Sequence, residues 1–382
     1  MKLYLKRLLS ATVLLACVAL PLAAQDVTSV WEYEVVGSKM RVKLYINGEL
    51  RNFIFDTGGR TALTSEFCDR AALPDTDSMR VTDVNGQVDY YPIVTIEYLV
   101  TPDQNVGFTD VPALRLPSPN PFHCFGADGI IGSELLSRFI VTINPADKTI
   151  TLTTSDKAEG LSLRKMHNFS ANGIMPVIPL HIGTGASLNV LFDTGFGGFI
   201  SLKNEDFDTL AALGAATVID EGISRGSIGV AGMAATDRLR LVEFPAVTLA
   251  GTRFTGARAE TGTPPFTLLG MELLDYGSVT IDYPRRRFYF NAGEKSYHRD
   301  DLHRPFSLGV DEGRLTVSSV WSEMEGRVAI GDPVTHINGK PAGVYDFCES
   351  ITKGIPELKV PGTVIITVET AAGPVELTYK EE

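Results

Sequence analysis

The sequence predicts an all-β chain built from two copies of one unit, followed by a smaller third domain. Three observations lead there. The stretch Phe55-Asp56-Thr57-Gly58 recurs as Phe192-Asp193-Thr194-Gly195. Each Asp is trailed by an apolar-apolar-Gly: Ile130-Ile131-Gly132 lies 76 residues after Asp56, and Leu268-Leu269-Gly270 lies 77 after Asp193. Nine residues beyond each of those glycines stands Val141-Thr142-Ile143-Asn144 or Val279-Thr280-Ile281-Asp282, so a whole structural unit is repeated. The chain then divides into a leader over residues 1–24, a first copy over 25–155, a second over 156–291, a polar linker over 292–303 and a C-terminal domain over 304–382.

The leader reads as a secretory signal. Lys2, Lys6 and Arg7 precede an apolar run from Leu8 to Leu22, and Ala23-Ala24 precede the polar Gln25-Asp26. The run is short for a membrane span. Export to a periplasmic or extracellular space is the expectation. The alternative is a membrane-anchored lipoprotein, because Leu14-Leu15-Ala16-Cys17 resembles a bacterial lipoprotein box with Cys17 as lipid anchor. The apolar continuation from Val18 to Ala24 favours soluble export.

In the first copy, Trp31 to Val36 and Met40 to Ile46 read as strands, and Asn47-Gly48 is a hairpin turn signal. Leu50 to Phe55 is the strand that delivers Asp56. Gly58-Gly59 suits a backbone that turns sharply. Ser65 to Leu73 reads as a short helix with Thr64 or Ser65 as cap. Arg80 to Ile96 reads as a second hairpin with Asn85 and Gly86 at its tip. Ile140 to Thr153 closes the copy as a hairpin turned at Pro145-Ala146-Asp147. The second copy repeats the plan from Gly173 to Asn291, with a hairpin-like segment over 223–231. In the C-terminal domain, Tyr345 to Ile351 reads as a helix, and Gly362 to Glu369 and Val375 to Tyr379 as strands.

The chain has 382 residues, 44% hydrophobic and 21% charged, which is ordinary globular composition. Loss of the leader's three cations would take the net charge from −12 to −15. An acidic chain without a basic run argues against nucleic-acid binding. Three cysteines follow the leader: Cys68, Cys124 and Cys348. Export permits disulfides, and Cys68 and Cys124, both in the first copy, could pair, which would leave Cys348 single. No spacing matches a metal site, the six histidines are scattered, and no cofactor is implied.

The two D-T-G turns, each followed by an apolar-apolar-Gly, resemble the two lobes of a pepsin-like aspartic peptidase. The short spacing is more similar to two retropepsin-sized lobes fused in one chain. The resemblance covers residues 30 to 291. It implies two pseudo-symmetric acid-protease β-barrel lobes meeting at a catalytic pair, Asp56 and Asp193, with Thr57, Gly58, Thr194 and Gly195 supporting the pair. It also implies a flap over the substrate at Asn85 and Gly86. One position departs from the family: the residues after each D-T-G are Gly59 and Phe196, where a hydroxyl is usual. Donors to an ionised carboxyl lower its pKa, so the missing hydroxyls predict a weakly acidic to neutral optimum.

Phe306-Ser307-Leu308-Gly309-Val310 and Gly331-Asp332-Pro333-Val334-Thr335-His336-Ile337-Asn338-Gly339 resemble a PDZ domain, with Leu308 and Gly309 in the loop that captures a terminal carboxylate. The expectation is an aspartic endopeptidase acting on a peptide or protein substrate, with a second peptide ligand for the PDZ domain. The alternative is a catalytically silent peptide-binding protein of the cell envelope, which Phe196 favours.

Overall fold

The computed structural model describes residues 26–380 except 84, 156–160, 171, 172, 226, 227, 230, 231, 234, 235 and 302. The leader and Cys17 lie outside the described residues, as do residues 226, 227, 230 and 231 of the hairpin-like segment in the second copy. The protein is mostly strand, 51% against 13% helix.

Alternation builds the strands. In Lys39–Ile46 the residues Met40, Val42, Leu44 and Ile46 are buried, while Lys39, Arg41, Lys43 and Tyr45 face outward. The turn that follows has Asn47 at φ 48° and Gly48 at φ 87°, the left-handed pair that lets a two-residue hairpin match strand twist. Lys39–Ile46 therefore pairs antiparallel with Glu49–Phe55.

The sheets show the internal repeat in three dimensions. In the first copy the strand order runs Lys39–Ile46, Glu49–Phe55, Gly129–Ile131, Ala62–Thr64, Gly107–Leu116, Val88–Val100, Asp77–Thr82. In the second it runs Val177–Ile182, Ala186–Phe192, Thr267–Leu269, Ile200–Lys203, Arg258–Gly262, Asp237–Glu243, Thr217–Ser224. Each Asp-bearing strand lies parallel to the strand ending just before its apolar-apolar-Gly glycine: Phe55 pairs with Ile131, and Phe192 with Leu269. Both copies end in a hairpin, and the two hairpins join edge to edge, Val141 opposite Ile281 and Ile143 opposite Val279. This shared sheet lies over one apolar core that runs through both copies, from Trp31 and Phe55 to Phe192 and Phe288. Fully burying one such side chain contributes about 1.5–3 kcal/mol.

The stretch 292–303, expected as a linker, is instead part of the second copy. Ser296–His298 pairs in parallel with Thr252–Thr255. Tyr297 packs on Phe254 and Tyr276. Arg299 is almost fully buried over the Phe199 ring and pairs with Glu272 at 2.6 Å and Asp301 at 2.7 Å. A polar composition reads as linker only while the partners of its charges are unknown.

The C-terminal residues have their own core around Phe306, Val317, Val334, Ile337, Val364 and Ile366. The helix is Phe347–Lys353, set two residues later than expected because the Asp346 side chain caps it by accepting from the Glu349 N–H at 2.8 Å. Leu308 and Gly309 do not form a loop. The turn Glu312-Gly313, both at positive φ, closes a tight hairpin, so Phe306–Asp311 pairs back on Arg314–Trp321 with Leu308 opposite Val317 and Gly309 opposite Thr316.

Cys68 and Cys124, which the sequence allowed to pair, do not. Cys124 pairs with Cys348, 224 residues away, and Cys68 is a free thiol on the buried face of the helix Ser65–Arg70. Burial pushes the Cys68 thiol up to about 11, so it behaves as a small apolar residue.

Candidate active site

Each Asp is placed by the strand ahead of it and the glycine segment beside it. The Asp56 N–H donates to Ile131 O at 3.0 Å and the Asp193 N–H to Leu269 O at 2.9 Å. Gly132 and Gly270 must be glycine: a Cβ on Gly132 would lie 2.4 Å from the Arg60 carbonyl carbon, and one on Gly270 2.2 Å from Gly198 O. The structure brings the two acids together, and their carboxyl groups are hydrogen-bonded to each other. The Gly58 N–H donates to Asp56 Oδ1 at 2.9 Å, and the Gly195 N–H to Asp193 Oδ1 at 2.7 Å. A Cβ on Gly58 would meet Asp193 Cγ at 2.4 Å, and one on Gly195 would meet Asp56 Oδ2 at 2.6 Å. Neither turn has room for a side chain, because the acid of the opposite copy fills the space.

Beneath the acids the threonines interlock. The Thr57 N–H donates to Thr194 Oγ1 and the Thr194 N–H to Thr57 Oγ1, both at 3.1 Å. The Thr57 hydroxyl donates to Phe192 O at 2.7 Å and the Thr194 hydroxyl to Phe55 O at 2.8 Å. Both threonines are fully buried. In the first copy Ser133 adds a further layer: its Oγ donates to Thr57 O at 2.6 Å and lies 3.0 Å from the Tyr283 hydroxyl. Tyr283 comes from the second copy, and burial raises its pKa.

Both acids are half-buried by surface area, because water meets them only through the cleft. Burial pushes the Asp56 carboxyl well above the usual aspartate range, and the charge of Asp193 adds to this. Burial also raises Asp193. Two acids that share a hydrogen bond resist double ionisation, so they titrate as a pair.

Sequence reasoning missed Lys39. Its ammonium donates to Gly195 O across the copies, and its charge favours ionisation of both acids. Nothing in the sequence marks it, since it is one of three outward cations on an ordinary strand. Lys39→Met is expected to move both limbs of a pH–rate profile to higher pH, because a cation that lowers both pKa values is removed. An unchanged profile would refute this.

Gly59 lies so close that a Cβ there would meet Asp56 Oδ2 at 2.6 Å, which explains why no hydroxyl side chain stands at that position. The Phe196 ring lies against Gly198 and Gly270, while the Phe196 N–H donates to the Asp193 backbone carbonyl at 3.2 Å.

Asn85 and Gly86 form the tip of the hairpin Asp77–Thr82 and Val88–Val100. Asp83 shapes the tip, its Oδ1 accepting from the Asn85 N–H at 2.9 Å and the Gln87 N–H at 2.8 Å. The tip reaches the second copy: the Thr263 hydroxyl donates to Asn85 O at 3.3 Å, and a Cβ on Gly86 would lie 2.9 Å from Thr263 O. Gly86 also has φ 76°. Gly86→Val is therefore expected to hold the hairpin off and raise KM about tenfold or more with a smaller change in kcat. An unaltered KM would show that the tip does not close on substrate.

Two cavities meet at the acids, of about 390 and 980 Å³, and both are lined by Asp56, Asp193, Ile130 and Leu268. The smaller is mainly apolar, with Tyr91, Leu114 and Leu116. Among the described residues one group, His123, Cys124 and Cys348, gathers three atoms of metal-ligating type, but its two sulfurs are bonded to each other. Leu308 and Gly309 lie in the C-terminal hairpin and line neither cavity.

The chain is similar in part to a retropepsin-like aspartic protease from Rickettsia conorii. That likeness is at 16% identity with a TM-score of 0.25, and it covers 34% of this chain and 92% of that one. No known family profile matches the sequence, and no curated protein matches it.

Proposed function

We propose that the protein is an exported aspartic endopeptidase with two pseudo-symmetric acid-protease lobes and a C-terminal PDZ domain. One observation carries this reading: two hydrogen-bonded carboxyls, each held by the N–H of its own glycine, over mutually locked threonines. Two acids sharing one proton supply both roles that peptide hydrolysis needs. The ionised one takes a proton from a bound water, and the protonated one polarises the substrate carbonyl. Aspartic proteases are the established instance of two carboxyls whose acidities are driven apart by sharing one proton. Because the site is nearly symmetric, either Asp can take either role.

The matching strand orders of the two copies support the two-lobe reading. The C-terminal hairpin and helix support the PDZ reading, with its peptide added along the free edge of Phe306–Asp311. The leader supports export, with Cys17 as lipid anchor in the alternative. Cleavage of a mixed peptide library from pH 3 to 8, beside Asp56→Asn, tests the proposal. Loss of cutting in the variant supports it. A folded wild-type protein that cuts nothing favours the rival, a peptide-binding protein, for which the Phe196 ring lining the larger cavity is the specific observation.

A further inference from the structure

The C-terminal domain reaches the cleft. Ile351, on the helix Phe347–Lys353, lines the larger cavity together with Phe122, Phe125 and the two acids. It packs on the cluster of the first copy that contains Ile54, Phe122, Phe125 and Ile130. We infer that this domain is one wall of the substrate cleft, and that Ile351 is a specificity-determining residue for the peptide side chains that enter the larger cavity. The inference rests on the peptidase reading and adds to it a determinant from outside the repeated units.

Two separate attachments keep the wall in place. On the first copy, the Cys124–Cys348 disulfide joins the short 3-10 turn Pro121–Phe125 to the helix one turn before Ile351. Gly37 takes φ 57° against the same helix, where a Cβ would lie 2.6 Å from Ile351 O. On the second copy, Arg314–Trp321 continues the sheet by pairing with Thr217–Ser224, Gly222 opposite Trp321 and Ser224 opposite Ser319. Arg225 pairs with Asp311 at 2.8 Å. Ser224 itself lines the larger cavity. A domain tethered only by a linker would not be fixed to both copies beside one half of the cleft. Cys124 and Cys348 act as positioning residues for Ile351. A dithiol reductant would split their bond, with two electrons and two protons passing to the sulfurs and the reductant closing to its own disulfide.

The test compares four samples on a positional peptide library: wild type, Ile351→Ala, the Cys124→Ser/Cys348→Ser double variant, and wild type treated with dithiothreitol. Ile351→Ala should favour bulkier side chains at the positions that reach the larger cavity by about tenfold in kcat/KM. Preferences at positions facing the smaller cavity should not change. The double variant and the reduced protein should shift the same way by a smaller factor. An Ile351→Ala profile that superimposes on wild type, or that loosens equally on both sides of the cut, overturns the inference. A wild type that cuts no peptide refutes the peptidase reading alone. The same library read as binding by fluorescence anisotropy then decides on Ile351 by the same contrast.

Discussion

Asp56→Asn is expected to lower kcat by at least about 10³-fold, the scale of a lost general acid–base partner, and to make the protein more stable at neutral pH. The second effect follows from burial. The native state holds the Asp56 carboxyl at a raised pKa, so between the unfolded and native values it keeps a proton that the unfolded chain has released. A state that binds more protons loses stability as pH rises, so the cost grows from the ordinary aspartate range upward and is complete above the native value. Asparagine carries no charge to suppress. Its melting temperature should exceed that of wild type at pH 7 and equal it near pH 3. A variant that is inactive but equally or less stable at pH 7 would mean that the pair carries no electrostatic strain. This is the usual opposition of function and stability at a site built for chemistry.

Thr57→Val should damage the fold more than changes of similar volume elsewhere in the cleft floor, Thr194 excepted. Valine fits the space but cannot hydrogen-bond. The Thr194 N–H and the Phe192 carbonyl then lose their partner in a fully buried place. Each such orphan costs about 1–3 kcal/mol, so a loss of roughly 3–5 kcal/mol is expected by urea unfolding, with Thr194→Val similar. Thr57→Ser keeps the hydroxyl and should stay within about 1 kcal/mol of wild type. Val and Ser variants of equal stability would show that packing, and not the interlock, holds the two copies together.

What the sequence revealed was mostly local or repeated. The D-T-G turns, the apolar-apolar-Gly segments and the Asn47-Gly48 and Asn85-Gly86 turns each depend on a few neighbouring residues. The all-β character followed from alternation such as that of Met40 to Ile46. What it hid depends on contacts between distant segments. Cys124 meets Cys348 only because the C-terminal helix docks on the turn Pro121–Phe125. The stretch 292–303 looked like a linker because Glu272 and Phe254, which bury Arg299 and Tyr297, lie more than twenty residues earlier. Leu308 and Gly309 matched a loop motif, but the Glu312-Gly313 turn next to them drew both into a hairpin strand. Lys39 carries no pattern at all, and only the approach of Gly195 from the other copy gives it a role.

The shared sheet also sets an order of events during synthesis. Ile140–Asn144 belongs to the first copy, yet one of its edges is covered only by Gly277–Asp282 of the second. A ribosome that has released the entire first copy has therefore released a unit with an open strand edge, and this stays open until more than a hundred further residues emerge. Such an edge invites pairing with any other chain. Under the export proposed above, threading before folding would keep both halves of the sheet available to each other at the same moment.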